Sequence, residues 1–247
     1  MITLKNLDGL HASVRSNVAA YADKLMSALG TNVKSVAVYG SAAGADYVPG
    51  RSNVNIVVVV DKLSADMLAC LVSIVEIGKR QRIVPPLIVT PEYVRSSLDV
   101  FPIEYQEIRD SQVVIYGDDA IGPIDVSRDH LRLECESQLR AAILRTRQAY
   151  LEMGARKRGA EQVLHASLTS LVPVLRAMLR LAGTEPPRGK ADVIKAVGET
   201  FGIPTATFTA ILRDKAGDEK IGGSDALRVL GSYIDEVEVL ASRLDRM

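Results

Sequence analysis

The hydrophobic period of this chain changes once, across Gly117-Asp118-Asp119 and Gly122-Pro123, and that change limits the folds open to it. Before it, short extended runs rich in β-branched residues are interspersed with helical stretches. After it, apolar residues recur at three- and four-residue intervals as far as the C-terminal stretch. The first pattern suits a mixed sheet with helices, the second a bundle of amphipathic helices. The sequence therefore predicts an α+β protein: a mixed-sheet domain over residues 1–120, then an all-α helical bundle over residues 121–247.

Individual elements follow from local signals. Leu10, Val14, Val18, Tyr21, Leu25 and Leu29 mark a helix that Gly30 stops. Val33–Tyr39 reads as a strand, and a second strand runs through residues 56–60. Ser64 is placed to cap a helix reaching about Gly78, with Met67, Leu68, Leu71, Val72 and Val75 as its expected buried stripe. Residues 86–89 read as a short strand, and Thr90-Pro91-Glu92 as the start of a short helix. Residues 101–108 and 113–116 are expected to be extended. In the second half, one stripe is Leu131, Cys135, Leu139, Ala142 and Ile143. A second runs from Leu164 to Leu179, and a third from Leu227 to Leu240.

Composition narrows the function classes. Lys+Arg and Asp+Glu balance at 30 each, which argues against bulk capture of nucleic acid. Cys70 and Cys135 have no CxxC or histidine partner nearby and read as buried free thiols of a reducing compartment. The N-terminus shows no charged-then-apolar leader, and no run approaches about 18 apolar residues. The expectation is a cytoplasmic protein without a membrane partner.

Chemistry concentrates in Tyr39-Gly40-Ser41, followed after eleven residues by Asn53-Val54-Asn55-Ile56. A Gly-Ser turn after a strand lets backbone N–H groups approach phosphate oxygens, and the Ser41 hydroxyl adds a donor. Period-two alternation puts Asn53 and Asn55 on one face of the second strand. Two side-chain oxygens so spaced can bracket a divalent cation, and Arg51 lies within reach of a triphosphate. Polar strand entry with turn-type hydrogen bonds is the plainer account of the two asparagines.

The strand, Gly-Ser, spacer and polar-apolar-polar strand start resemble the nucleotidyltransferase superfamily of DNA polymerase beta. The closest resemblance is to its kanamycin nucleotidyltransferase-like and minimal nucleotidyltransferase branches, which add a helical domain. The likeness covers about the first 117 residues. It implies that Gly40 and Ser41 grip ATP or another NTP, and that Asn53 and Asn55 stand where two motif aspartates would hold Mg²⁺. It also carries the third carboxylate onto Glu104, with Glu107 second, on an extended segment. An intact enzyme of this type moves a nucleoside monophosphate to a hydroxyl of a small molecule or protein, and relatives are often homodimers.

Both motif acids are absent here. Two Mg²⁺ ions carry four positive charges against three negative ones in an intact triad. Each lost ion–carboxylate contact is worth several kcal/mol, and a few kcal/mol is a hundredfold or more in rate. The leading expectation is a catalytically degenerate nucleotidyltransferase fold that binds a nucleotide as a regulatory or interaction module. The alternative is an active Mg²⁺-dependent enzyme relying on Glu104 and Glu107. A third reading rests on Arg158 and His165, whose spacing loosely resembles the Arg-x4–6-His pattern of HEPN ribonucleases. Against it stands the plainer view of a helix-start arginine and a packed histidine.

Overall fold

The computed structural model describes residues 3–44, 46–153, 159–222 and 225–247. Contacts within the chain divide it into two units, Met1–Val126 and Ser127–Met247.

In the first unit, β1 (Val33–Tyr39), β2 (Asn55–Val60), β3 (Leu87–Val89) and β4 (Val113–Gly117) form one mixed sheet in the order β3-β2-β1-β4. β1 runs antiparallel to β2 and β4, whereas β2 and β3 are parallel. The run of β-branched residues in β2 therefore lies on an interior strand and is buried on both faces. On one face Val36, Val38, Ile56 and Val58 pack with Val18, Tyr21 and Leu25 of α1 (Arg15–Leu29) and Leu71 of α2 (Ala65–Arg80). On the other face Ala37, Val57 and Val59 meet Val94 of α3 (Pro91–Ser96) and Tyr105 and Ile108 of α4 (Pro102–Ser111).

Local chemistry sets the boundaries. Gly30, at φ 59°, ends α1 in a conformation that glycine adopts without a Cβ penalty. The Ser64 hydroxyl accepts the Met67 N–H at 3.3 Å at the start of α2. Thr90 accepts the Tyr93 N–H at 3.1 Å, with Pro91 at the first position of α3.

Three expectations change. Residues 101–108 are not extended: they enter and form most of α4. Pro102 at the first helical position and Glu104 in the first turn are helix-start signals, and they outweigh the strand-like alternation of Phe101, Ile103 and Tyr105. The buried line of α2 is narrower than expected, because Leu68 and Val72 are 47% and 61% exposed. That helix is the crossover between parallel β2 and β3, and β3 is only three residues long, so the sheet offers it a slim platform. Its buried contact is made by Leu71 and Gly78, with Tyr21 of α1 pressed against the glycine. Cys70, on the same helix, is exposed; only Cys135 is buried.

The second unit contains α5 (Arg128–Met153), α6 (Ala160–Leu181), α7 (Lys190–Phe201), α8 (Ala206–Ala216) and α9 (Ala226–Leu244). α6 packs on each of the others. The stripe residues Leu131, Cys135, Leu139, Ala142 and Ile143 are buried, as are Leu164, Leu168, Leu171, Val172, Leu175, Met178 and Leu179. Phe208 and Tyr233 meet edge-to-face with ring centroids 5.6 Å apart, and the Tyr233 hydroxyl lies 2.8 Å from that of Ser167. By length and mean hydropathy alone α6 is long and apolar enough to cross a membrane. Half of its most apolar stretch is buried against the rest of the protein, and its buried side chains include Leu164, Leu168, Leu171, Leu175 and Leu179.

Candidate functional site

Tyr39 at the end of β1 pairs across the ladder with Asn55 at the start of β2. β1 then tightens into a 3-10 turn, Gly40–Ala43. Gly40 sits at φ +74°, and a methyl group there would lie 3.0 Å from the side-chain amide nitrogen of Asn55. The missing side chain is what lets that amide lie against the turn. Val54 and Ile56, which flank Asn55, are sunk in the core beneath α1 and α2, so Asn55 projects toward the α3–α4 face. Asn55 is half-buried there. Asn53 precedes β2, outside the strand, and is exposed.

α4 closes on this turn. The Gly40 N–H donates to the Ser111 hydroxyl at 2.9 Å, and that hydroxyl donates to the Glu107 carbonyl at 2.7 Å. The amide expected to face a phosphate is thus engaged by the protein itself. Gly40 serves the site through its missing side chain instead. Glu104 and Glu107 sit on a helix, not on the expected strand. In a strand, residues three apart would face opposite ways; at helical spacing Glu104, Glu107 and Ser111 share one side of α4. Burial, reinforced by the charge of Glu104, holds the Tyr39 hydroxyl above its ordinary value of 10.0. The structure therefore brings Gly40 and Asn55 to the same corner of the sheet as Tyr39, with Glu104 near enough for its charge to act on the Tyr39 hydroxyl.

Other candidates are placed differently. Ser41 is half-buried in the turn, and its carbonyl accepts the Gly44 N–H at 3.0 Å. Arg51 is exposed on a bend in which the N–H groups of Arg51 and Ser52 both donate to the Val48 carbonyl, at 3.1 and 2.8 Å. In the second unit, His165 Nε2 lies 2.6 Å from Asp214 Oδ2, while Arg158 lies outside the described residues. Ser111 is the residue that sequence reasoning missed, while Tyr39 entered it only as the first residue of the turn motif. Tyr39 was legible as the cross-strand partner of Asn55. Ser111 carried no signal, being 71 residues from the amide it binds.

Beside the turn the structure sets the neutral Asn55 amide, and the candidate ligands left to complete a metal site are the neutral Asn53 and the acids of α4. Mg²⁺ demands hard oxygen ligands in near-octahedral array, and two such ions need several anionic ones. These residues do not fit a pair of catalytic cations. They do offer amide and hydroxyl groups to a ligand that carries its own counter-charge.

No family model matches the sequence, and no curated protein matches it either. Among solved structures, the chain is similar to spectinomycin adenyltransferase AAD(9) from Enterococcus faecialis, solved with ATP and spectinomycin. The TM-score is 0.59 at 14% identity, over 90% of this chain and 99% of that one. The fold is shared with that adenyltransferase. At that identity the likeness is one of architecture, and its coverage takes in the bundle as well as the sheet. The sequence motif, by contrast, spoke only for the first 117 residues.

Proposed function

We propose that the first unit binds a nucleoside triphosphate and has lost the two-metal transfer step, acting as a nucleotide-responsive regulatory or interaction module. The observation that carries this reading is the Asn55 amide packed against Gly40, at the corner where the motif of a nucleotidyltransferase fold would hold a carboxylate. A triphosphate arrives with its own Mg²⁺, which neutral amides neither repel nor fix in place. The structural neighbour was solved with ATP, which supports the ligand class. Loss of two ion–carboxylate contacts, at several kcal/mol each, removes the stabilisation that transfer needs. Thermal unfolding with ATP, GTP, CTP or UTP and Mg²⁺ tests it. At least one should raise Tm in proportion to the logarithm of its concentration, with no pyrophosphate released. A Tm indifferent to all four would overturn the proposal.

A second reading is favoured by the position of Glu104. One carboxylate near Tyr39 could still assist transfer to a hydroxyl of a small molecule, and the neighbour was solved with such a compound as well as ATP. That reading requires pyrophosphate release that depends on an acceptor and disappears in Glu104→Gln.

A further inference from the structure

The second unit holds a cluster of metal-type side chains that the nucleotide reading does not use. Glu161 and His165 are four residues apart on α6, so they lie on one face, and Asp214 reaches them from α8. One imidazole nitrogen and one oxygen from each carboxylate all lie within 4.8 Å of one another. His165 Nε2 and Asp214 Oδ2 are 2.6 Å apart. The other oxygen of Asp214 accepts the Ile221 N–H at 2.9 Å. The Asp214 side chain is 3% exposed and that of His165 23%. A buried carboxylate is retained only where strong partners compensate for its lost water.

We propose that Glu161, His165 and Asp214 form a binding site for a divalent transition-metal cation of the Zn²⁺, Mn²⁺ or Co²⁺ type. One imidazole nitrogen with two carboxylate oxygens suits those ions, whereas Mg²⁺ and Ca²⁺ seek oxygens alone. Metal bonds of about 2.0–2.2 Å set donors roughly 3–3.5 Å apart. His165 and Asp214 therefore need to separate by less than about 1 Å, and Glu161 closes the remainder by turning its side chain. The Ile221 amide holds Asp214 in orientation, the part that outer hydrogen bonds play around metal ligands. Three protein ligands leave coordination positions free, and the half-buried Glu161 and His165 keep that side open to solvent. In the absence of metal His165 and Asp214 hydrogen-bond to each other, which keeps the buried carboxylate partnered.

The test is titration of the full chain, without an affinity tag and carrying Cys70→Ser so that the exposed thiol takes no ion. Co²⁺ is followed by its visible absorption and Zn²⁺ by calorimetry. The expected result is one ion per chain, with affinity reduced at least tenfold in each of Glu161→Gln, His165→Gln and Asp214→Asn. Circular dichroism checks that each variant is folded. Should the buried Asp214→Asn variant fail to fold, the half-buried Glu161 still decides the matter. An absent absorption band, or an affinity unchanged in Glu161→Gln and His165→Gln, would overturn the site.

Discussion

At Gly40 one absent carbon joins the turn after β1 to the first side chain of β2. Gly40→Ala would meet the Asn55 amide at 3.0 Å from a backbone held at positive φ. We expect a loss of about 1–2 kcal/mol in urea denaturation. Adding Asn55→Ala should return the part due to the amide, leaving the backbone part, as a double-mutant cycle would separate. Glu236 poses the opposite case. One of its oxygens accepts the Thr207 N–H at 3.2 Å, the other is buried without a partner, and burial raises its pKa above the ordinary 4.5. A raised carboxyl stabilises the fold below its unfolded value and loses that contribution as pH climbs through the folded one. Glu236→Gln should therefore be the more stable protein at pH 7, by on the order of 1 kcal/mol, with the difference fading below about pH 4.5. Denaturation curves at several pH values check this. Asn55 and Gly40 were legible in the sequence because strand alternation and a fixed spacer bring them to one corner. The link from Ser111 to Gly40 was not, since a single hydroxyl acting across 71 residues leaves no periodic trace.

Among the elements, α4 and α2 show where pattern reading stops. The alternation of Phe101, Ile103 and Tyr105 imitates a strand, yet Pro102 and Glu104 carry the same start signal that correctly placed α3 after Thr90. Reading α4 as a helix also unites Glu104 and Glu107 on one side. For α2 the helix itself was legible from its Ser64 cap, but the width of its buried face depends on a three-residue β3 that no local pattern reveals. Two predictions follow from that geometry. Gly78→Ala would place a methyl 2.6 Å from the Tyr21 ring, so it should cost about 1–3 kcal/mol in spite of alanine's better helix propensity. Leu68→Lys and Val72→Lys, changing exposed positions, should each stay within about 0.5 kcal/mol of the parent. Chemical denaturation measures both.

Over the whole molecule, helical periodicity after residue 123 gave away the bundle stripes, because every helix there buries one face against another. Two of those buried groups set an alkaline limit. Burial pushes the Cys135 thiol from 9.0 up to about 12, and the Tyr233 hydroxyl from 10.0 up to about 12. Groups raised in the folded state stabilise it fully below their unfolded values, so stability should begin to fall near pH 9 and keep falling toward pH 12. Tyr233→Phe should flatten the part of that slope above pH 10. Under the proposed function, Asn53 and Asn55 stand where acids would hold Mg²⁺. The affinity of a non-hydrolysable ATP analogue, measured by calorimetry with and without Mg²⁺ in the parent and in Asn53→Asp/Asn55→Asp, tests that most directly. Binding by the parent, with at least tenfold tighter binding by the variant in Mg²⁺ alone, is the predicted result. Equal affinities in the presence of Mg²⁺, or no binding by either protein, would contradict it.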